Sequence, residues 1–326
     1  MARPAVSIDL ENRPLTAQKT HFGTLAFNLF LKRLFSRGLW KKAMETTITP
    51  GRYARILLDY WFKRSFGTEG RQQLLRLFLE TLIPERKIAD LKYAPQEHVS
   101  PFPDNKGIRV DVECTDIDGT RFVVEMQLAH QNFFYERALF NSTFAVQEQM
   151  TSGEGAYDFP AVYFIGILDF TIHKDTDRVL FRYDLRERES CESMTDRLQF
   201  IFLELTNCRV LTPESTVLEK VCYALHNMEN LPDRPEGFEG ELFRLLFESA
   251  EIATFTPQEK AKLEIDMRTE RDLKNQIAYA KEEGVEIGRE GTLHQVEFQL
   301  RERGMSEADI AAFVQSIREA TKSTSY

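Results

Sequence analysis

Val110-Asp111-Val112-Glu113-Cys114-Thr115-Asp116-Ile117-Asp118-Gly119-Thr120-Arg121-Phe122-Val123-Val124-Glu125-Met126-Gln127 is the stretch on which the fold turns. Ile108 to Thr115 reads as a strand, and Arg121 to Leu128 as its return. Asp116-Ile117-Asp118-Gly119 forms the hairpin turn between them, with glycine free to take positive φ. Two adjacent antiparallel strands thus each carry a carboxylate between apolar residues. Glu125 and Gln127 are two apart and emerge on one face, while Val124 and Met126 point the other way, into core. Asp111 stands seven residues before Asp118 and Glu125 six after Gly119, so the two are near-opposite and can share a cation.

Working outward, Leu74, Leu75, Phe78, Leu79 and Leu82 recur at helical spacing, and Pro84 closes that helix. Downstream, Phe133 to Met150 reads as a helix, and Gly153, Gly155 and Pro160 break the chain. Ala161 to Phe170 is almost continuously apolar, as a central strand buried on both faces requires. Leu198 to Leu205 is a further strand. This order predicts an α/β fold, a mixed sheet flanked by helices. After Pro213 the pattern turns helical over 214–230, 237–252 and 257–302, with Gly284, Gly288 and Gly291 expected to interrupt the last as flexible points. Ser306 caps a final short helix after Gly304. The expected divisions are a basic extension 1–51, a core domain 52–212 and a helical C-terminal region 213–326.

The chain has 326 residues, of which 42% are apolar and 25 are Phe, enough for a sizeable core and too many for wholesale disorder. The formal net charge of −9 argues, as a total, against a nucleic-acid binder. The distribution is uneven. Residues 1–51 hold eight basic residues against three acidic ones, and Arg52, Arg55, Lys63, Arg64, Arg71 and Arg76 gather just ahead of the hairpin. A negative total is therefore compatible with weak, salt-sensitive nucleic-acid binding that relies on a divalent metal. Leu25 to Trp40 can form a basic amphipathic helix. Residues 1–43 also read as a leader, or as an extension ahead of a start at Met44. Cys114, Cys191, Cys208 and Cys222 are scattered without metal spacing, which points to structural thiols and a reducing compartment. No apolar run is long enough to span a bilayer, and no signal-peptide layout is present, so a cytoplasmic protein with no membrane contact is expected.

The carboxylate pair carries the chemistry. A hard divalent cation wants carboxylate oxygens and brings water to a phosphodiester. A Lys or Gln two residues beyond the Glu can orient that water or hold the phosphate. Bland readings stand beside this one. Two acids in a hairpin are ordinarily a solvated strand face. Glu113 shares the face of Asp111, as a further metal-binding group or as a solvent-exposed one. Asp116 and Asp118 are turn formers. His98, His130 and His173 lack ligand spacing. Phe133, Phe134, Phe140 and Phe144 read as core rather than a base-stacking platform.

Asp111, a short hairpin and Glu125-Met126-Gln127 together resemble a PD-(D/E)XK nuclease core with Gln in the Lys position. More narrowly, the chain resembles the recombination-promoting nuclease (Rpn) family, whose members also carry a transposase label. Asp59-Tyr60-Trp61-Phe62-Lys63-Arg64-Ser65-Phe66-Gly67, the Leu74–Pro84 helix, Arg137, Gln147 or Gln149, Gly153-Glu154, Tyr157 and the Val162–Phe170 strand continue the likeness. So do Ala280-Lys281-Glu282-Glu283-Gly284 through Gly291, and Gly304-Met305-Ser306. It runs from about Gly51 to Phe313. The resemblance implies a restriction-endonuclease-like core and a Mg²⁺-dependent DNA endonuclease, Mn²⁺ substituting, that promotes recombination. Asp111, Glu125 and the Met126 carbonyl would hold the metal, and Gln127 would orient water or phosphate. Glu80 is the candidate third acid, although the family commonly has Asn there. Lys63, Arg64, Gln131 and Arg137 are candidate DNA contacts; Lys63 can equally lie along Phe62, and Arg137 can equally pair with Glu136. No acidic triad spacing for strand transfer is visible. The alternatives are a non-catalytic DNA-binding or protein-interaction protein on a degenerate core, and self-association through residues 257–322 as a homo-oligomer.

Overall fold

The computed structural model describes residues 51–98, 107–150, 157–208 and 210–323, all within one compact unit, Pro50–Tyr326. The expected helix at Leu25–Trp40, and Gly153-Glu154, lie outside the described residues. Helices α1 (Asp59–Phe66) and α2 (Gln72–Leu82) come first. In α2 the three- and four-residue spacing turns Leu74, Leu75, Phe78, Leu79 and Leu82 to one buried face. Pro84, just past the C-cap Ile83, keeps the helix from continuing.

The strands are β1 (Leu91–Tyr93), β2 (Glu97–His98), β3 (Ile108–Arg109), β4 (Val112–Asp116), β5 (Arg121–Gln127), β6 (Val162–Leu168), β7 (Leu180–Arg186) and β8 (Ser193–Glu204). Six of them make one mixed sheet in the order β1-β4-β5-β6-β8-β7, while β2 and β3 pair separately. β4 and β5 are antiparallel, and β5, β6 and β8 run parallel. Helix α3 (Phe134–Gln147) makes the crossover from β5 to β6. The carboxyl ends of three neighbouring strands therefore open on one edge of the sheet. Every residue of β6 is buried, as its apolar run requires.

Helices cover both faces. On one, Phe62, Phe78 and Leu79 share a core with Val124 and Ile165 and with α4 (Val217–Asn227) and α5 (Glu241–Ala250), which contribute Leu225, Phe243 and Leu246. The helices after Pro213 thus contribute to the main core. On the other face, Phe134, Ala138 and Ala145 of α3 pack on Val123, Val162, Phe164 and Phe202. Helix α6 (Pro257–Glu302) and α7 (Glu307–Ser323) end the chain. The start of α6 lies on the body through Leu263, packed with Trp61 and Phe255.

Three expectations change. The strand foreseen over Ile108–Thr115 is split at Val110-Asp111, because the Val110 N–H turns away to the Gln96 carbonyl at 2.8 Å. β7 was not foreseen, since Arg182, Asp184 and Arg186 dilute its apolar pattern, as suits a sheet edge. Helix α6 runs unbroken for 46 residues through Gly284, Gly288 and Gly291. Three glycines cost about 1 kcal/mol each, and the capping box of Thr256 with Glu259, Pro257 in the first turn and good helix formers along the length outweigh them. All four cysteines are free thiols, with Cys114, Cys208 and Cys222 buried. Among the described residues, no helix is long and apolar enough to cross a membrane.

Candidate active site

The hairpin fixes the site. Gly119, at φ +85°, turns the chain, its N–H donating to the Asp116 carbonyl at 3.0 Å. A Cβ there would lie 2.7 Å from Pro160, so the position excludes other residues twice over. The ladder runs Thr115↔Arg121, Cys114↔Phe122, Glu113↔Val123 and Val112↔Val124. One step beyond it, Asp111 faces Glu125. There the ladder ends, and the Asp111 carboxylate takes the place of a strand carbonyl, accepting the Met126 N–H at 2.8 Å. In an extended strand the N–H and C=O of one residue leave on the same side. The Met126 carbonyl therefore also faces Asp111, past the last ladder pair.

Glu125 and Gln127 are each 7% exposed. Glu125 accepts from the Asn141 amide of α3 at 3.3 Å. Its strand partner in β6 is Gly166, where a Cβ would meet Phe202 at 2.9 Å and Phe134 at 3.3 Å, so the missing side chain lets α3 sit close. Burial, and then the neighbouring Asp111 charge, push the Glu125 carboxyl up to about 8, against the pull of Arg137 and Asn141. Burial also raises Asp111, although the Met126 N–H and Lys63 oppose it. The Gln127 Oε1 is buried without a hydrogen-bond partner among the described residues. Two desolvated, mutually repelling carboxylates beside an orphaned amide oxygen are an all-oxygen donor set that fits a hard divalent cation.

Lys63 of α1 reaches this pair. Its Nζ lies 3.4 Å from Asp111 Oδ1 and 2.5 Å from Asp59 Oδ1. Burial works against its charge, but the two carboxylates outweigh burial and raise it. The acid that α1 and α2 bring toward the site is therefore Asp59, which also raises Asp111. Glu80 is not brought there. Its carboxylate accepts the Ile88 N–H at 3.1 Å and lies 3.6 Å from Arg76, pinning the loop after α2. Nor is Arg64, which pairs with Glu259 of α6 at 2.5 Å and donates to the Ser249 carbonyl at 2.9 Å. Arg137 donates to Gln131, not to Glu136.

Glu113 is not solvated. At 1% exposure it meets His98 Nε2 at 2.6 Å and Arg121 Nη1 at 3.2 Å, while Glu148 takes the other nitrogen of His98 at 2.5 Å and Arg121 at 2.9 Å. Donor atoms of His98, Glu113 and Glu148 lie within 4.8 Å of one another. Arg121 already lies against both carboxylates, so the group closes as a neutralised network pinning β2 and the end of α3 onto β4. His173 likewise bonds buried Glu204 at 2.6 Å. Neither grouping shows in sequence spacing, since each histidine stands 15 to 50 residues from its carboxylates.

The sequence profile of the PD-(D/E)XK nuclease family transposase matches residues 56–280. The chain belongs to this family. Its six-stranded mixed sheet with flanking helices is the PD-(D/E)XK fold. In this PD-(D/E)XK nuclease family member Gln127 follows Glu125 by two residues, and among the described residues the amine that reaches Asp111 is that of Lys63 in α1. Among curated proteins and among solved structures, nothing matches the chain.

Proposed function

We propose that the protein is a Mg²⁺-dependent DNA endonuclease, with Mn²⁺ able to substitute, acting in recombination or with mobile elements. The observation that carries the reading is the pair Asp111 and Glu125, opposed at the end of the β4–β5 ladder and both raised by burial. Asp111, Glu125 and the Met126 carbonyl would hold the cation, with Asp59 a further acid in reach of Lys63. A divalent cation there would neutralise phosphate charge and acidify a water.

The chain's own groups supply the rest. Lys63, held between Asp59 and Asp111, offers an ammonium to the scissile phosphate or to its attacking water, the work Lys does elsewhere in the PD-(D/E)XK motif. Gln127 cannot act as a strong base; its amide orients. Asn141 fixes the Glu125 rotamer. Arg137 and Gln131, already bonded to each other, flank the strand as DNA contacts. Helix α6 exposes Leu273, Ile277, Ile287 and Phe298, which supports self-association through the C-terminal helices.

Plasmid nicking with Mg²⁺ tests the assignment. Asp111→Ala and Glu125→Ala each lower cleavage by about 100-fold or more, and titration with Mn²⁺ loses its heat in both. Lys63→Ala lowers cleavage while keeping Mn²⁺ binding. Equal cleavage by wild type and both carboxylate variants would sink the site. A folded wild type that binds no divalent cation would favour a non-catalytic protein on the same fold.

A further inference from the structure

Phe133 breaks two rules at once. Its backbone is left-handed, at φ 60° and ψ 36°, a region that bulky L-residues avoid. The residue is 76% exposed. An asparagine, or a glycine, would hold this backbone with less strain and expose no ring. The strain is maintained from α3. The Arg137 N–H donates to the Phe133 carbonyl at 2.9 Å, and the Arg137 guanidinium donates to Gln131. One residue thus clamps both ends of the turn that presents the ring.

The placement ties Phe133 to the carboxylates. It ends the loop leaving the carboxyl end of β5, directly after Glu125-Met126-Gln127 and a short connection. The next residue, Phe134, is buried over Gly166, the strand partner of Glu125. The start of α3 is therefore planted beside Glu125, and Phe133 is the ring it leaves outside. Arg137, which clamps Phe133, also acts on the Glu125 charge.

Resting on the nuclease reading above, we infer that Phe133 stacks on a nucleobase of the bound DNA, so that the preferred substrate has an accessible base face near the scissile phosphate. A continuous duplex hides its base faces; a bulge, a gap or a single strand exposes them. A rigidly displayed aromatic ring is sequence-tolerant, because every base has a π-face. Arg55 and Arg64 are held by Asp169 and Glu259, so stacking adds binding that those side chains do not supply to phosphate.

The test uses the full chain with Ca²⁺ in place of Mg²⁺, and a duplex carrying a single-base bulge labelled with 2-aminopurine. Phe133→Asn suits the left-handed backbone, so it unfolds at the wild-type temperature or above it. It binds the bulged duplex about ten-fold more weakly and loses the change in 2-aminopurine fluorescence. Phe133→Trp restores both. Its affinity for an unbroken duplex matches wild type. Equal affinity of Phe133→Asn and wild type for the bulged duplex overturns the inference. So does a fall in assembly mass by light scattering with DNA binding unchanged, which would make Phe133 a protein contact. A wild type that binds and cleaves no DNA fails the nuclease reading itself, and is distinguished from the first outcome by the wild-type lane alone.

Discussion

Glu125 pays for its position in the absence of a cation. Its folded carboxyl keeps a proton up to about pH 8, whereas an unperturbed glutamate releases it near 4.5. Between those values the folded protein binds one proton more than the unfolded chain, so stability falls as pH rises. The effect is on the order of a few kcal/mol across the window. Glu125→Gln removes it. In metal-free buffer the variant melts above wild type at pH 8, and the gap narrows toward pH 5; Mg²⁺ raises wild type at pH 8 but not the variant. A gap that is the same at both pH values would show that Glu125 is not desolvated. The pairing of Asp111 with Glu125 was legible in the sequence because a tight turn fixes register, and register fixes who faces whom. Lys63 was legible only as a cation near a phosphate, because its approach to Asp111 depends on how α1 lies against the sheet. The left-handed turn at Phe133 had no local signal. Asn132, immediately before it, is the residue such a turn usually favours.

At the scale of elements, β6 and α2 were readable because burial on both faces, or on one helical face, writes itself as a period. β7 was not, because its outward positions carry Arg182, Asp184 and Arg186. Helix α6 was readable in type but not in continuity. Its first turns are fastened to the body by Leu263, by Arg64 on Glu259, and by buried Arg55, which meets both Asp169 and Glu270. Beyond Glu270, Leu273, Ile277 and Ile287 are exposed at spacings of four and ten residues. Further along, Leu293 packs with Ile310 and Val314 of α7 in a separate cluster. A chain cut after Asp272 keeps the fastened turns and loses both the exposed stripe and the distal hairpin. Such a chain melts within a few degrees of the full protein. If the exposed stripe joins two copies, the full protein shows twice the monomer mass by light scattering at high concentration and the cut chain shows one. A full-length protein that stays monomeric would remove α6 as an assembly element.

For the whole molecule, the question is where the positive charge goes. The six basic residues ahead of the hairpin read, in sequence, as a patch for phosphates. Folding consumes most of them. Arg52 pairs with Glu251 and Asp233, Arg55 with Asp169 and Glu270, Arg64 with Glu259, and Arg76 with Glu80. Lys63 lies between Asp59 and Asp111, and Arg71 alone of the six forms no ion pair among the described residues. Five of these six side chains are thus committed to carboxylates within the body and are less available to release counterions from DNA. On the nuclease reading proposed above, loss of these side chains to ion pairs predicts an affinity for DNA that depends less on monovalent salt than their number alone suggests. For a chain beginning at Met44, log affinity against log salt has a slope of magnitude about 3 or less, matching about three neutralised phosphates. In the full chain, eight basic residues within 1–51 can steepen that slope. Binding measured for both chains across a monovalent salt series, at fixed Ca²⁺, separates the two contributions. A steep slope that survives removal of residues 1–43 would place an additional cationic surface on the folded body.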